Sequence, residues 1–138
     1  MRIAVLGLGF MGSTHLKAWR NVPGAELAAV YSNDERKLSG DLSQIEGNFG
    51  GKGLTLDFAN VRKYRDTTDL FADPEIDAVD ICLPTHLHYA TALAALRAGK
   101  HVLVEKPIAL DGDSADELVR EGNASGLILM AGQVLRGS

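Results

Sequence analysis

A glycine-rich run, Gly7-Leu8-Gly9-Phe10-Met11-Gly12, lies between two segments of different periodicity and constrains the fold more than any other feature. Before it, residues 2–6 form a short apolar run typical of a buried strand, and after it residues 10–21 have the spacing of an amphipathic helix. In a strand–turn–helix unit, three glycines at this spacing have separate tasks. The first permits a tight turn, the second lets the backbone approach a phosphate, and the third lets the helix pack closely on the strand.

An anion site at this turn needs no basic side chains. The chain has 14 Lys and Arg against 18 Asp and Glu, a formal net charge of -4, which opposes non-specific binding to nucleic acid. Backbone N–H groups and the positive end of a helix dipole bind phosphate without a cation. The alternative is a glycine turn that only joins strand to helix. We expect the pyrophosphate of a dinucleotide here, with contacts from Gly7, Gly9, Phe10, Met11 and Gly12.

Short apolar runs alternate with helical segments along the rest of the chain. Further strands are predicted at residues 26–31, 61–64, 78–83, 101–104 and 127–131. Helices are predicted at residues 34–38, 67–72, 89–97 and 111–123, and residues 40–53 are interpreted as a loop or insertion. The pattern predicts one α/β domain over residues 1–138. Its doubly wound, mostly parallel six-stranded sheet has the order 3-2-1-4-5-6 and helices on both faces, as in a Rossmann fold.

The end of the second predicted strand indicates which dinucleotide is preferred. In this fold, a residue about 20 positions beyond the last glycine meets the adenosine ribose, and Asp or Glu there favours NAD. That position is Ser32, which is followed by Asn33, Arg36 and Lys37. A hydroxyl, an amide and two cations suit a 2′-phosphate, so NADP is favoured over NAD. The alternative is that Ser32 and Asn33 cap the next helix while the two cations are solvated.

Two segments follow the fourth and fifth predicted strands, at the edge where open α/β sheets bind ligands. They are Pro-Thr-His-Leu-His at residues 84–88 and Glu-Lys-Pro at residues 105–107. Together with the glycine turn, these segments make the chain resemble the amino-terminal domain of the Gfo/Idh/MocA oxidoreductases. The resemblance includes residues 77–81 and 98–102 and covers nearly the whole chain.

The resemblance implies roles for residues in the second half of the chain. Lys106 is implied to be a catalytic residue beside the nicotinamide that positions or polarises the reacting group, rather than a solvated charge. Glu105 is implied to contact the cofactor ribose or to fix its loop. Further cofactor contacts are expected from Leu83, Pro84, Thr85, His88 and Gln133. The reference pKa of histidine would also suit an acid or base role for His88, but a structural or cofactor-proximal role is at least as well supported. His15 and His101 are interpreted as structural.

The resemblance also implies a reaction, namely hydride transfer between NADP or NAD and the carbinol of a sugar, cyclitol or related polyol. The second domain of the family, which supplies most substrate contacts and much of the oligomer interface, is expected to be absent from these residues. The chain alone should therefore bind nucleotide and turn over poorly, which leaves its status as an enzyme and as a homo-oligomer open. The alternative function is a non-catalytic NAD(P)-binding sensor or partner subunit. The glycine spacing opposes a third option, a domain that binds S-adenosylmethionine.

Cys82 is the only cysteine, so the sequence predicts no internal disulfide and no metal site. No segment approaches the roughly 20 apolar residues needed to cross a bilayer. The amino terminus also lacks the hydrophobic run of a signal peptide. We therefore expect a soluble cytoplasmic protein without nucleic-acid or membrane partners.

Overall fold

A parallel sheet organises the chain in the computed structural model, which describes residues 1–42, 54–55, 58, 60–105, 109 and 111–131. The strands are β1 (Arg2–Leu6), β2 (Glu26–Tyr31), β3 (Asp41–Leu42), β4 (Leu54–Thr55), β5 (Arg62–Tyr64), β6 (Ala78–Ile81), β7 (His101–Val104) and β8 (Leu129–Ala131). Six of them form one sheet of order β5-β2-β1-β6-β7-β8, and every neighbouring pair is parallel. This is the predicted order 3-2-1-4-5-6, so the doubly wound α/β fold is confirmed.

Helices connect the parallel strands. They are α1 (Phe10–Arg20), α2 (Glu35–Leu38), α3 (Thr67–Phe71), α4 (His88–Arg97) and α5 (Gly112–Ser125), and a single 3-10 turn, Thr85–Leu87, precedes α4. The short helices α2 and α3 begin where Asp34 and Asp66 accept backbone N–H groups of the first turn. Helix α5 begins in the same way at Asp111 and ends at Gly126, which adopts the left-handed conformation with φ of 68°. The helix boundaries therefore follow local capping chemistry.

The interpretation of residues 40–53 as a loop or insertion was wrong at one end. Strand β3 pairs with β4 in a separate antiparallel ribbon, with Asp41 opposite Thr55 and Leu42 opposite Leu54. Each strand has two residues, which is too short for an alternating pattern to be visible in the sequence. Residues 43–53, the rest of that interpretation, lie outside the described residues.

Two apolar clusters cover opposite faces of the sheet. Successive residues of a strand point to opposite sides, and along β1 Ala4 and Leu6 join one cluster while Val5 joins the other. The first cluster packs against α4 and α5 through Leu96 and Leu118, and the second packs against α1 through Leu16. Helix α1 is thereby held against the sheet with its first turn at the carboxyl end of β1. In the described part of the chain, no helix combines the length and apolar content needed to cross a membrane.

A polar network joins β5 to the loop between α3 and β6. Tyr64 donates to the carboxylate of Asp73 over 2.6 Å, and Arg62 donates to it over 2.9 Å. Buried Lys100 donates to the backbone oxygens of Asp73 and Ile76, each over 2.7 Å. Burial opposes ionisation of Asp73, but the hydrogen bonds that it accepts outweigh burial and hold its pKa below the usual range. Burial raises the pKa of Tyr64 to about 12, with a further contribution from its bond to Asp73.

Replacing Asp73 should destabilise the fold. Asp73→Ala leaves the half-buried hydroxyl of Tyr64 without its acceptor and removes one of the two carboxylate partners of Arg62. We therefore expect the free energy of unfolding to fall by about 1–3 kcal/mol in urea denaturation. Glu75→Ala is the control, because Glu75 binds the same Arg62 but its side chain is 55% exposed; its effect should stay within about 0.5 kcal/mol.

The loss of unfolding free energy in Asp73→Ala should depend on pH. Because the folded pKa of Asp73 is depressed, its contribution is present above the unfolded pKa of about 3.9 and is lost as the pH falls through the folded value. The gap between wild type and Asp73→Ala should therefore narrow in acid. A gap that is unchanged or wider in acid would contradict this account of Asp73.

Candidate cofactor-binding site

The turn between β1 and α1 requires glycine at two of its three signature positions. Gly7 has φ of +98°, and its N–H donates to the backbone oxygen of Tyr31 over 2.9 Å. A Cβ on Gly7 would lie 2.7 Å from the backbone oxygen of Cys82, and a Cβ on Gly12 would lie 1.9 Å from the oxygen of Gly7. Both approaches are far inside van der Waals contact, so the strand and the helix approach this closely only without side chains there.

Gly9 differs from the other two glycines because, among the residues that the structure describes, no atom of a non-neighbouring residue lies within 4 Å of the position of its Cβ. It is the N-cap of α1, where it provides no side-chain cap, and the first turn contains no acidic residue. Nothing in the described part of the chain therefore requires glycine at this position. An open backbone surface at a positively polarised helix end fits the approach of a pyrophosphate.

A cleft of about 540 Å³ opens beside this turn, at the carboxyl ends of β1, β2 and β6. It brings together predicted site residues that are distant in sequence. From the turn and the first turn of α1 these are Gly7, Gly9, Phe10 and Met11; from the end of β2 they are Ser32, Asn33 and Lys37; and from the end of β6 they are Leu83 and Pro84. The volume lies within the usual range for small-molecule sites. Gly12 lies behind the turn, against Gly7.

The end of β2 presents a hydroxyl, an amide and one lysine to the cleft. Ser32 is buried, and its Oγ accepts the N–H of Asp34 over 3.0 Å. The Asp34 carboxylate turns away to cap α2 through the N–H groups of Arg36 and Lys37. Lys37 lines the cleft whereas exposed Arg36 does not. The carboxylate nearest the expected ribose position is thus engaged in capping a helix.

Of the residues that follow β6, some line the cleft and others do not. Pro84 lines the cleft, while exposed Thr85 begins the 3-10 turn outside it. His88 is buried, with its Nε2 2.9 Å from the backbone oxygen of Leu83. Since a carbonyl only accepts, the ring N–H donates, and the bond fixes the conformation of the Leu83–His88 segment. Of the remaining predicted residues, Lys106 and Gln133 lie outside the described residues.

Glu105 lies directly after β7 and meets a histidine that the sequence analysis treated as merely structural. Its Oε1 is 3.5 Å from Nε2 of His15, and Nδ1 of the same ring is 2.6 Å from Oδ2 of Asp80. Trp19 donates its indole N–H to the same Asp80 oxygen over 2.8 Å. The signal in the sequence was Asp80 itself, a carboxylate within an otherwise apolar strand, which requires buried partners.

His15, Asp80 and Cys82 carry their ligand atoms within 4.8 Å of one another. The short contact between His15 and Asp80 and the bond from Trp19 show that these groups already engage one another as hydrogen-bonding partners. The Cys82 sulfur is also close to both, 3.4 Å from the ring and 3.5 Å from the carboxylate. We therefore interpret the group as a polar network inside the fold.

Comparison with known proteins agrees with this geometry. Residues 1–133 match the Gfo/Idh/MocA family, described as an oxidoreductase family with an NAD-binding Rossmann fold. The chain is 30% identical over 136 residues to 4-carboxy-2-hydroxymuconate-6-semialdehyde dehydrogenase of a Sphingobium species, covering 99% of this chain and 39% of that protein. It is 30% identical over 132 residues to myo-inositol 2-dehydrogenase of Thermotoga maritima, covering 96% and 36%.

A solved structure shares the architecture. Biliverdin reductase from Synechocystis, in complex with biliverdin and NADP+, aligns with a TM-score of 0.76 and 28% identity over 94% of this chain and 37% of that chain. The chain thus spans somewhat more than a third of the length of these relatives. The fold, the glycine turn and the match over residues 1–133 lead to one conclusion: the chain belongs to the Gfo/Idh/MocA oxidoreductases and has their NAD-binding Rossmann fold.

Proposed function

We propose that these residues form the cofactor half of an oxidoreductase that transfers hydride between a nicotinamide dinucleotide and the carbinol of a sugar, cyclitol or related polyol. The observation that carries the proposal is the cleft built on the glycine turn, with Gly9 open toward it. The relative named as an inositol dehydrogenase supports the substrate class.

Three parts of the cleft would hold three parts of the cofactor. The pyrophosphate lies at the first turn of α1, against the backbone of Gly9, Phe10 and Met11. The adenosine ribose lies at the end of β2, and the nicotinamide half lies toward Leu83 and Pro84. When bound, the nicotinamide accepts or donates the hydride. In this proposal Lys106 is the catalytic cation, while Glu105 and Gln133 complete the cofactor contacts.

We further propose that NADP is preferred to NAD. Lys37, Asn33 and Ser32 line the ribose end of the cleft, and Asp34 is occupied with capping α2. A lysine and an amide can bind the 2′-phosphate, whereas NAD-binding sites usually offer a carboxylate to the 2′-hydroxyl. The NADP+ bound by biliverdin reductase of Synechocystis shows that a similar fold accepts this nucleotide.

Replacing Lys37 tests the preference. In titrations followed by nicotinamide fluorescence, Lys37→Ala should weaken NADPH binding about tenfold, roughly the loss of one charge-assisted contact, and leave NADH binding unchanged. Lys63→Ala is the matched control, because it removes the same charge from exposed β5, outside the cleft. It should bind both nucleotides as the wild type does. Equal loss of NADPH and NADH binding in Lys37→Ala would contradict a 2′-phosphate contact.

A nucleotide sensor without chemistry is the second candidate. It shares the cleft but has no use for a cation beside the nicotinamide, so Lys106 separates the two. Assaying the protein with a panel of polyols for nicotinamide oxidation or reduction tests the difference. Turnover that disappears in Lys106→Met supports the oxidoreductase, whereas nucleotide binding without turnover on any polyol supports the sensor.

A further inference from the structure

Two buried titratable side chains and a third that is half-buried contact one another inside the fold, and the roles proposed so far use only Glu105. They are His15 in α1, Asp80 in β6 and Glu105 after β7, with side chains 3%, 1% and 17% exposed. The His15 ring stands between the two carboxylates, with Nδ1 2.6 Å from Asp80 and Nε2 3.5 Å from Glu105. The first distance is that of a short hydrogen bond. The second joins two buried atoms at ion-pair distance without the geometry of a hydrogen bond. We call these residues the buried triad.

The charge of the buried triad follows from its geometry. A neutral ring has one N–H, so it can donate to one carboxylate only and must turn a nitrogen lone pair toward the other. Two ionised carboxylates and a neutral ring also place a net charge of two negative units in the interior. One added proton places an N–H on both sides of the ring, one toward each carboxylate, and reduces that charge to one negative unit. Burial and attraction therefore both favour holding the proton, which belongs to the coupled group rather than to one residue.

The described groups that face the His15 ring come from three elements. Asp80 and Cys82 approach it from β6, Glu105 approaches it from the end of β7, and Trp19 on α1 shares the Asp80 oxygen. Trp19 is neutral and donates only, so it stabilises an ionised Asp80. The Cys82 thiol also donates to Asp80, over 3.5 Å. Because Trp19 and Cys82 donate hydrogen bonds and do not accept the added proton, that proton is shared by the ring and the two carboxylates alone.

We propose that His15 is a positioning residue of the nucleotide site, carrying a proton between Asp80 and Glu105 so that α1 and the end of β7 are held in one arrangement. The proposal rests on the nucleotide-binding function proposed above. His15 lies outside the cleft, five residues after Phe10, on the helix whose first turn receives the pyrophosphate. It acts through two groups, the backbone of that turn and the carboxylate of Glu105.

The shared proton also links the buried triad to the charge of the ligand. Loss of the proton at high pH adds a negative unit to the interior beside an anion-binding helix and removes one of the two contacts made by the ring. Both changes act in the same direction, so nucleotide affinity should fall as the pH rises. A histidine that only filled space in α1 would produce no such dependence.

His15→Gln tests the role, since glutamine is polar and of similar length but cannot carry the added proton. We expect the variant to fold, as judged by circular dichroism, and to bind NADPH about tenfold more weakly than wild type near neutral pH, a loss of about 1.4 kcal/mol. Its affinity should also lose the wild-type decline with rising pH. His101→Gln is the matched control, because His101 lies at the start of β7, outside the cleft, and bonds the N–H of Ile128. It should retain both the wild-type affinity and the wild-type pH profile.

Nuclear magnetic resonance of the ring nitrogens provides a readout independent of nucleotide. In the wild-type chain, both His15 ring nitrogens should still carry hydrogen near pH 8, where an imidazole in a free peptide, with a pKa of about 6.5, is largely neutral. In Asp80→Asn, which keeps the shape and one oxygen, the second ring hydrogen should be lost at lower pH. This variant also serves if His15→Gln does not fold.

The two readouts separate the two proposals. A wild-type chain that binds neither NADPH nor NADH overturns the nucleotide-binding proposal, while the ring signals still decide whether the buried triad holds its proton. A singly protonated His15 ring near pH 8 overturns the triad. Unchanged affinity and an unchanged pH profile in folded His15→Gln overturn the positioning role even if the wild type binds nucleotide tightly.

Discussion

Gly12→Ala should lose both stability and nucleotide binding. The added methyl group would lie 1.9 Å from the backbone oxygen of Gly7. The backbone of Gly7 is held in place because its N–H donates to the backbone oxygen of Tyr31. The first turn of α1 must therefore move away from β1, which disturbs the packing of Leu16 against the sheet. We expect the free energy of unfolding to fall by about 3–5 kcal/mol, a large share of the stability of a small domain.

The measurement is urea denaturation followed by circular dichroism, with a glycine that has space around it as control. Gly112 begins α5, and in the described ranges no atom of a non-neighbouring residue lies within 4 Å of a Cβ placed there. Gly112→Ala should therefore be neutral or slightly stabilising, because alanine restricts the unfolded chain more than glycine does. If Gly12→Ala unfolds at the same urea concentration as Gly112→Ala, the close approach of α1 to the glycine turn is not present in solution.

Gly9→Ala should weaken nucleotide binding strongly while changing the stability of the free chain only slightly. The position of its Cβ is as open as that of Gly112, so the stability of the free chain should fall by no more than about 1 kcal/mol, the preference of an N-cap for glycine over alanine. The methyl group would project from the backbone that receives the pyrophosphate, which should hold the phosphates away from the N–H groups of the first turn. We expect NADPH and NADH affinity to fall at least about a hundredfold, equivalent to roughly 2.7 kcal/mol.

Equal losses for the two nucleotides are part of this expectation, because the pyrophosphate is common to both. Lys37→Ala should discriminate between them, so the two variants locate different parts of the cofactor. Gly9→Ala that binds both nucleotides with wild-type affinity would show that the ligand does not approach this backbone. The pyrophosphate assignment would then be wrong even though the fold is correct.

The sequence predicted the framework well because its signals are local. The bounds of β1, β2 and β7 match those observed, since each is an apolar run that ends at a glycine, a polar residue or a proline-containing segment. The last strand was predicted from residue 127 but begins at Leu129, because the N–H of Leu127 bonds the oxygen of Gly122 and closes the end of α5. The cap at the end of α5 thus shortens β8 relative to the prediction.

The candidate site was predictable in part for the same reason. The glycine turn and the end of β2 are short contiguous motifs, and the cleft does bring them together. Arg36 and Lys37 looked equivalent in the sequence, yet only Lys37 lines the cleft, because the cap at Asp34 sets how α2 begins. The buried triad could not be read from spacing, since His15 and Asp80 lie 65 positions apart and meet only when α1 packs on β6.

The central claim is that the cleft beside Gly9 binds a nicotinamide dinucleotide. The most direct test is to titrate the ¹⁵N-labelled chain with NADPH and to follow the amide chemical shifts. We expect saturable shifts concentrated at Gly9, Ser32 and Leu83, which come from the three strand ends that form the cleft. The account would be contradicted by no shifts at millimolar NADPH. It would equally be contradicted by shifts confined to the apolar hollow lined by Met1, Ile128 and Met130.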